Sequence, residues 1–190
     1  PGVWDFSGAI KGTDGLAMLA GATVNERSIL TAPKGEMELY SSFLETKVAW
    51  RRDVKTITLE SDKASYLYKD RKRSITVPCQ PGLLDQHSVT LALISDLQGG
   101  KGPTFKYQII VKGKIEPYTF RIVDKMVLET ALGRLDTVKV ERVRQSANGK
   151  STLIWFASDK DFLPVKFQEL NAEGDSIDMK IIAINPRPTG

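Results

Sequence analysis

The chain has 190 residues, 41% hydrophobic and 26% charged, which excludes a disordered or low-complexity chain; no apolar run reaches the roughly 20 residues that cross a bilayer. It contains one His and one Cys, which excludes a His/Cys zinc site, a disulfide framework or a metal cluster built from its own side chains. The net charge of +4 is local, with nine Lys/Arg against four acids in residues 47–73 and a nearly neutral remainder. In chain order, Pro1-Gly2-Val3-Trp4 shows neither an initiating Met nor a secretory hydrophobic stretch, the pattern expected of an exported chain whose leader has been removed. Pro33-Lys34-Gly35 signals a turn, after which Glu36 and Glu38 alternate with Met37 and Leu39 as the solvated face of a strand.

Lys69-Asp70-Arg71-Lys72-Arg73 lies between two short alternating segments and reads as a hairpin tip. The simplest role for such a tip is a solvated turn whose charges discourage edge-to-edge pairing. The sharper role makes Lys69, Arg71, Lys72 and Arg73 a docking patch for an anionic surface, such as a layer of lipid headgroups or an envelope protein. Nucleic acid is not expected, because neither a recognised motif nor a ladder of planar rings accompanies the patch. Cys79, in Val77-Pro78-Cys79-Gln80-Pro81-Gly82, reads as a small apolar residue closing a strand, with no sign of a reactive thiol.

Leu84 to Gln98, LDQHSVTLALISDLQ, breaks the strand rhythm. Pro81-Gly82 precedes it, Asp85 is placed to cap a helix start, and Gly99-Gly100 are placed to end one. Its apolar residues, among them Val89, Leu93, Ile94 and Leu97, spread around most of the helical circumference, which predicts a helix enclosed on much of its surface. Period-two alternation then returns. Phe105, Tyr107, Ile109 and Val111 share one strand face, and Tyr118, Phe120 and Ile122 follow across a turn at Lys112-Gly113-Lys114. Asn148-Gly149 and Glu173-Gly174-Asp175 mark further turns. Leu163, Val165 and Phe167 oppose Pro164, Lys166 and Gln168, and Ile177, Met179, Ile181 and Ala183 oppose Ser176, Asp178 and Lys180. Successive hairpins of this kind predict a meander curled into a sandwich or barrel. No repeat or linker appears, so residues 1–185 are expected to form one domain with 186–190 as a loose tail.

The candidate chemistry is sparse. His87 is the one side chain whose ordinary pKa suits a neutral-pH base, but adjacent Ser88 points about 100° away on a helix and cannot pair with it. Asp159 and Asp161 sit in a strand connection, where carboxylates ordinarily shape turns, and their spacing is a poor match to a calcium loop. Gly99-Gly100-Lys101-Gly102 follows a helix instead of preceding one, the wrong polarity for a phosphate cradle. Catalytic residues, metal ligands and cofactors are therefore not expected. The aromatic residues on the strands, including Trp155 and Phe167, read as core or as the wall of an apolar pocket.

The segments YLYKDRKRSI, GLLDQHSVTLALISDL, LETALGRLDTVKVERV and WFASDKDFLPVKF, in this order, resemble a bacterial envelope family known only as a domain of unknown function. Trp155, Ala157, Asp159, Leu163 and Pro164 form its most recognisable phrase. The resemblance implies an exported, periplasmic protein whose fold is similar to the half-barrels of lipoprotein-localisation factors. The expected fold is thus mainly β, a curved antiparallel meander forming an open half-barrel, with one main helix packed in its concave side. By fold analogy alone, the expected function is non-enzymatic binding of a lipid or other apolar small molecule between sheet and helix, at Val89, Leu93, Ile94, Leu97, Trp155 and Phe167. The alternative is a structural or interaction module docking through the basic hairpin, and a hydrolase built on His87 or Asp159/Asp161 is a minor third.

Overall fold

The computed structural model describes residues 2–12, 19–32, 36–143, 151–170 and 176–181. The expected turns at Pro33-Lys34-Gly35, Asn148-Gly149 and Glu173-Gly174-Asp175, together with Ala183 and the 186–190 tail, lie outside the described residues. The chain is mainly β and folds as two compact units, Pro1–Ala92 with Tyr107–Pro117, and Leu93–Lys106 with Tyr118–Gly190. The chain passes between the units inside one helix and two strands, so no linker separates them, which is why composition showed no boundary.

Unit 1 is built on a six-stranded antiparallel meander in sequential order, β1 (Val3–Lys11), β2 (Thr23–Thr31), β3 (Glu38–Val48), β4 (Arg51–Leu59), β5 (Ser65–Lys69) and β6 (Ser74–Pro78). Alternation sends one face inward: Leu39, Ile57, Tyr66, Tyr68 and Val77 are buried with Leu83 and Ile110 in one apolar cluster. Cys79 packs half-buried at the edge of this cluster, as its place after β6 predicts. Tyr66 is 1% exposed and satisfies its hydroxyl by donating to the Leu39 carbonyl at 2.6 Å, as a buried phenol must. The basic hairpin forms where expected, with Lys69 opposite Ser74 and Asp70-Arg71-Lys72-Arg73 as the connection.

A second sheet has the order β13-β12-β11-β10-β9-β8-β7. Its members are β7 (Leu83–Leu84), β8 (Thr104–Val111), β9 (Lys114–Thr130), β10 (Gly133–Arg142), β11 (Ser151–Ala157), β12 (Leu163–Leu170) and β13 (Ser176–Lys180). The pair β7–β8 is parallel, Leu83 facing Gln108 and Leu84 facing Ile109, and a parallel pair needs a crossover. Helix α1 (Val89–Gln98) supplies it. The β8–β9 turn is the expected Lys112-Gly113, with positive φ values of 51° and 80°, the pattern of a tight hairpin turn. A Cβ on Gly113 would lie 2.7 Å from Ile75 Cδ1, so only glycine fits.

The helix expected from Leu84 begins five residues later, at Val89. Leu83 and Leu84 are drawn into a strand, and Asp85 and Ser88 close a reciprocal cap: Ser88 N–H donates to Asp85 Oδ1 at 2.7 Å and Asp85 N–H to Ser88 Oγ at 3.0 Å. Asp85 thus caps as expected, but the cap occupies a full turn before regular helix starts. At the other end, Gly100 N–H donates to the Leu97 carbonyl and Lys101 N–H to that of Asp96, with Gly100 at φ 66°, a Schellman stop. No helix among the described residues is long and apolar enough to cross a membrane.

Unit 2 has its own core of Leu135, Trp155, Ala157 and Val165. Opposite Lys139/Val140, β9 carries the extra residue Val123, and opposite Trp155/Phe156, β12 carries the extra residue Val165; these bulges bend β9 and β12 and increase their local twist.

Candidate functional site

In unit 1 the capping turn carries Asp85 and His87 onto the inward face of β1 and β2, where pairing sets Phe6 opposite Ser28 and Gly8 opposite Glu26. The His87 ring stacks on Phe6 with centroids 4.2 Å apart and planes 17° from parallel. A Cβ on Gly8 would lie 3.1 Å from His87 Nε2, so glycine makes room for the ring. Ser28 is fully buried and sits between the two polar residues, its Oγ 2.9 and 3.1 Å from the Asp85 carboxylate oxygens and 3.1 Å from His87 Nδ1.

A serine hydroxyl has one proton, and an ionised carboxylate can only accept. With Asp85 as a carboxylate, Ser28 donates to Asp85, and the tautomer that fits has His87 Nδ1–H donating to Ser28 Oγ. The chain runs His87 to Ser28 to Asp85, whereas an activated nucleophile needs serine to donate to histidine. Together with complete burial of the hydroxyl, this order ties the turn to the sheet and does not build a nucleophile. Burial pushes the His87 imidazole below its ordinary value, with the Asp85 charge acting against that shift. Burial, and then Asp85, push the Glu26 carboxyl up; its Oε2 lies 3.9 Å from His87 Nε2, beyond hydrogen-bond reach.

Beside this cluster lies a pocket of about 90 Å³. Leu44, Ile57, Tyr68 and Ile110 form apolar walls, and Glu26, Asp85, His87, Lys55 and Lys112 supply charged and polar groups to the rest of the lining. Apolar walls with a few converging polar groups are what a small-molecule site requires. No group of three or more His, Cys, Asp or Glu able to hold a metal occurs among the described residues.

The basic hairpin is organised by its one acid. Asp70 accepts from the backbone N–H groups of Lys72 and Arg73 at 2.9 and 2.8 Å and from Arg73 Nε at 2.9 Å, and Arg73 also covers the Tyr68 ring. These bonds, that of Arg73 foremost, hold the Asp70 carboxyl far below the usual range. Arg73 thus serves the turn, while Lys69, Arg71 and Lys72 are exposed. Lys69 and Arg71 join Arg52, Val54, Thr56 and Asp70 around an open groove of about 320 Å³ on the outward face of β4 and β5.

The six residues expected to line an apolar site are placed differently from one another. Val89, Leu93 and Leu97 are 4%, 0% and 6% exposed, and Ile94 is half-buried; the buried three are covered by the protein's own atoms. In unit 2, Trp155 pairs with Lys166 and Phe167 with Ile154, so Trp155 and Phe167 point to opposite faces of the β11–β12 ladder. Trp155 joins the unit 2 core, with Lys139 Nζ and Lys166 Nζ 5.1 and 4.5 Å from its ring. Asp159 and Asp161 are exposed in the β11–β12 connection; the Asp161 carbonyl accepts from Gln98 Nε2 at 3.0 Å. Sequence reasoning missed Ser28 and Glu26, which carry no motif and lie about 60 positions from the residues they meet.

No curated protein matches the chain. Among solved structures, the crystal structure of a beta-barrel-like protein of domain of unknown function DUF1849 from Brucella abortus is similar, with a TM-score of 0.53 at 5% identity, covering 84% of this chain and 72% of that one. At that identity the likeness concerns the fold alone, and it agrees with the mainly antiparallel β architecture. The family described as a protein of unknown function, DUF3108, matches residues 3–181, through both units, and the chain belongs to that family.

Proposed function

We propose that this protein is a non-enzymatic binding protein of the cell envelope, exported to the periplasm, which holds an amphipathic ligand, a lipid or similar apolar molecule with an anionic head. The observation that carries the reading is the mixed lining of the unit 1 pocket, where Leu44, Ile57, Tyr68 and Ile110 meet Lys55 and Lys112 in a lining that also holds Glu26 and Asp85. The apolar walls suit a hydrocarbon segment and the two ammonium groups suit its head. At about 90 Å³ the pocket takes part of such a molecule, not a whole phospholipid. The complete burial of Leu93 favours this pocket over a site along α1. The reversed proton order at Ser28 supports the non-enzymatic part.

Native mass spectrometry and solvent extraction of protein purified gently from its own envelope fraction test the reading. Bound amphiphile is expected, with a lower yield from the double variant Lys55→Glu/Lys112→Glu, whose side chains lie at the lining and not in the core. Extracts no richer than those of an unrelated control protein, or recovery of the protein from the cytoplasm alone, would sink it.

A further inference from the structure

One end of the unit 1 meander carries a combination of groups that the pocket does not use. Val48 and Arg51 face each other across the β3–β4 ladder, leaving Ala49 and Trp50 as a two-residue tip. Ala49 holds a left-handed φ of 52°, and its N–H donates to the Ala20 carbonyl at 2.6 Å, which pins the tip to the segment entering β2. Trp50 is 97% exposed and Leu19, next to Ala20, is 78% exposed. A pinned turn therefore holds an indole in water, where its apolar area is unburied and its N–H is solvated. That is the side chain suited to the boundary between hydrocarbon and headgroups.

The charge around this tip is mainly positive. Lys47, Arg51 and Arg52 flank it in sequence and are exposed. Thr56 pairs with Lys69, so the chain beyond Lys69 runs back along β4 toward the tip, and the shared groove brings Arg71 and Lys69 to Arg52. Two of the acids in this region are already engaged: Glu45 is bound by Lys47 at 3.0 Å and by Arg52, and Asp70 by Arg73. Glu45 is held down to about 2 by those two cations.

We propose that this end of unit 1 docks on an anionic phospholipid surface, with Trp50 entering the headgroup boundary and Arg51, Lys69, Arg71 and Lys72 facing lipid phosphates. A projecting aromatic tip ringed by cations matches a charged, penetrable plane. A nucleic acid would instead need rings arrayed to stack bases or a groove that follows a backbone. The proposal stands on the tip and its charges and does not depend on the pocket.

Vesicle flotation with phosphatidylcholine mixed with phosphatidylglycerol, set against pure phosphatidylcholine, is the test. Binding is expected to the mixed vesicles, weakened by salt, with a blue shift of tryptophan emission. Arg71→Gln and Lys72→Gln are each expected to weaken partitioning about fivefold, and Trp50→Ala to weaken it and abolish the blue shift. All three side chains are exposed, so circular dichroism should be unchanged, and Trp50→Ala should keep any ligand of the pocket. Equal binding to neutral and anionic vesicles, binding indifferent to all three variants, or capture of DNA oligomers in place of vesicles would each overturn the proposal.

Discussion

His87 and Glu26 are the residues at which the buried polar cluster becomes measurable, because their environments push their protonation in opposite senses. Burial holds His87 below its ordinary value of 6.5, so below that pH the unfolded chain binds the proton more readily. Its contribution is present above about 6.5 and is lost as pH falls toward the folded pKa. Glu26 is raised above 4.5 by burial and by Asp85, so its contribution is present below 4.5 and is lost as pH rises through the folded value. Between these two ordinary values the slopes oppose each other. Glu26→Gln removes one of them: the variant should be more stable than the parent at pH 8, where the parent keeps a half-buried carboxylate, and should lose stability more steeply on acidification below 6.5. Urea denaturation across this range measures both, and a variant no more stable at pH 8 would refute the assignment. None of this was legible in the sequence. The sequence showed that His87 cannot pair with adjacent Ser88, but Ser28 is 59 positions away, and only the register of β1 with β2 brings Phe6, Gly8, Glu26 and Ser28 to the ring.

Strand alternation was the legible part at the scale of elements, because a ladder with one dry face writes its period directly into the sequence. The β8–β9 turn, the basic hairpin and the Schellman stop at Gly100 were readable for the same reason, each being a local solution to a local backbone problem. The start of α1 was not, since Leu83 and Leu84 are apolar enough for helix or strand and the parallel partner in β8 decides between them. Trp155 shows a subtler limit. It was readable as core or as the wall of an apolar pocket, but in a continuous apolar run which face turns toward what depends on the pairings of β10, β11 and β12. Those pairings place Trp155 between Lys139 and Lys166, and its indole Nε1 has no hydrogen-bond partner among the described residues. Trp155→Phe, which keeps a ring between the two ammonium groups and loses no hydrogen bond, should cost about 1–2 kcal/mol. Trp155→Ala should cost about 3–5 kcal/mol. Equal losses in chemical denaturation would mean that the ring and its cations contribute nothing specific.

For the whole molecule, the route of the chain is the decisive feature. Unit 1 takes residues 107–117 from beyond a stretch, 93–106, that belongs to unit 2. α1, β8 and β9 each contribute residues to both units, so melting either unit removes the ends of elements on which the other depends. Loss of a shared strand breaks a ladder, and loss of the ladder exposes the apolar faces it covered, so partial unfolding gains little chain entropy for the contacts given up. Two units tethered by a linker would behave differently, each melting at its own midpoint. We therefore expect a single thermal transition reported alike by far-ultraviolet circular dichroism and by tryptophan emission. Trp155→Ala in unit 2 and Ser28→Ala in unit 1, which strands Asp85 and His87 at a cost of about 1–3 kcal/mol, should shift that same transition. A fragment ending at residue 92 should remain unfolded, because it lacks β8, the partner of Leu83 and Leu84. Two separable midpoints, with Trp155→Ala moving only one of them, would show that the units fold independently despite their shared elements.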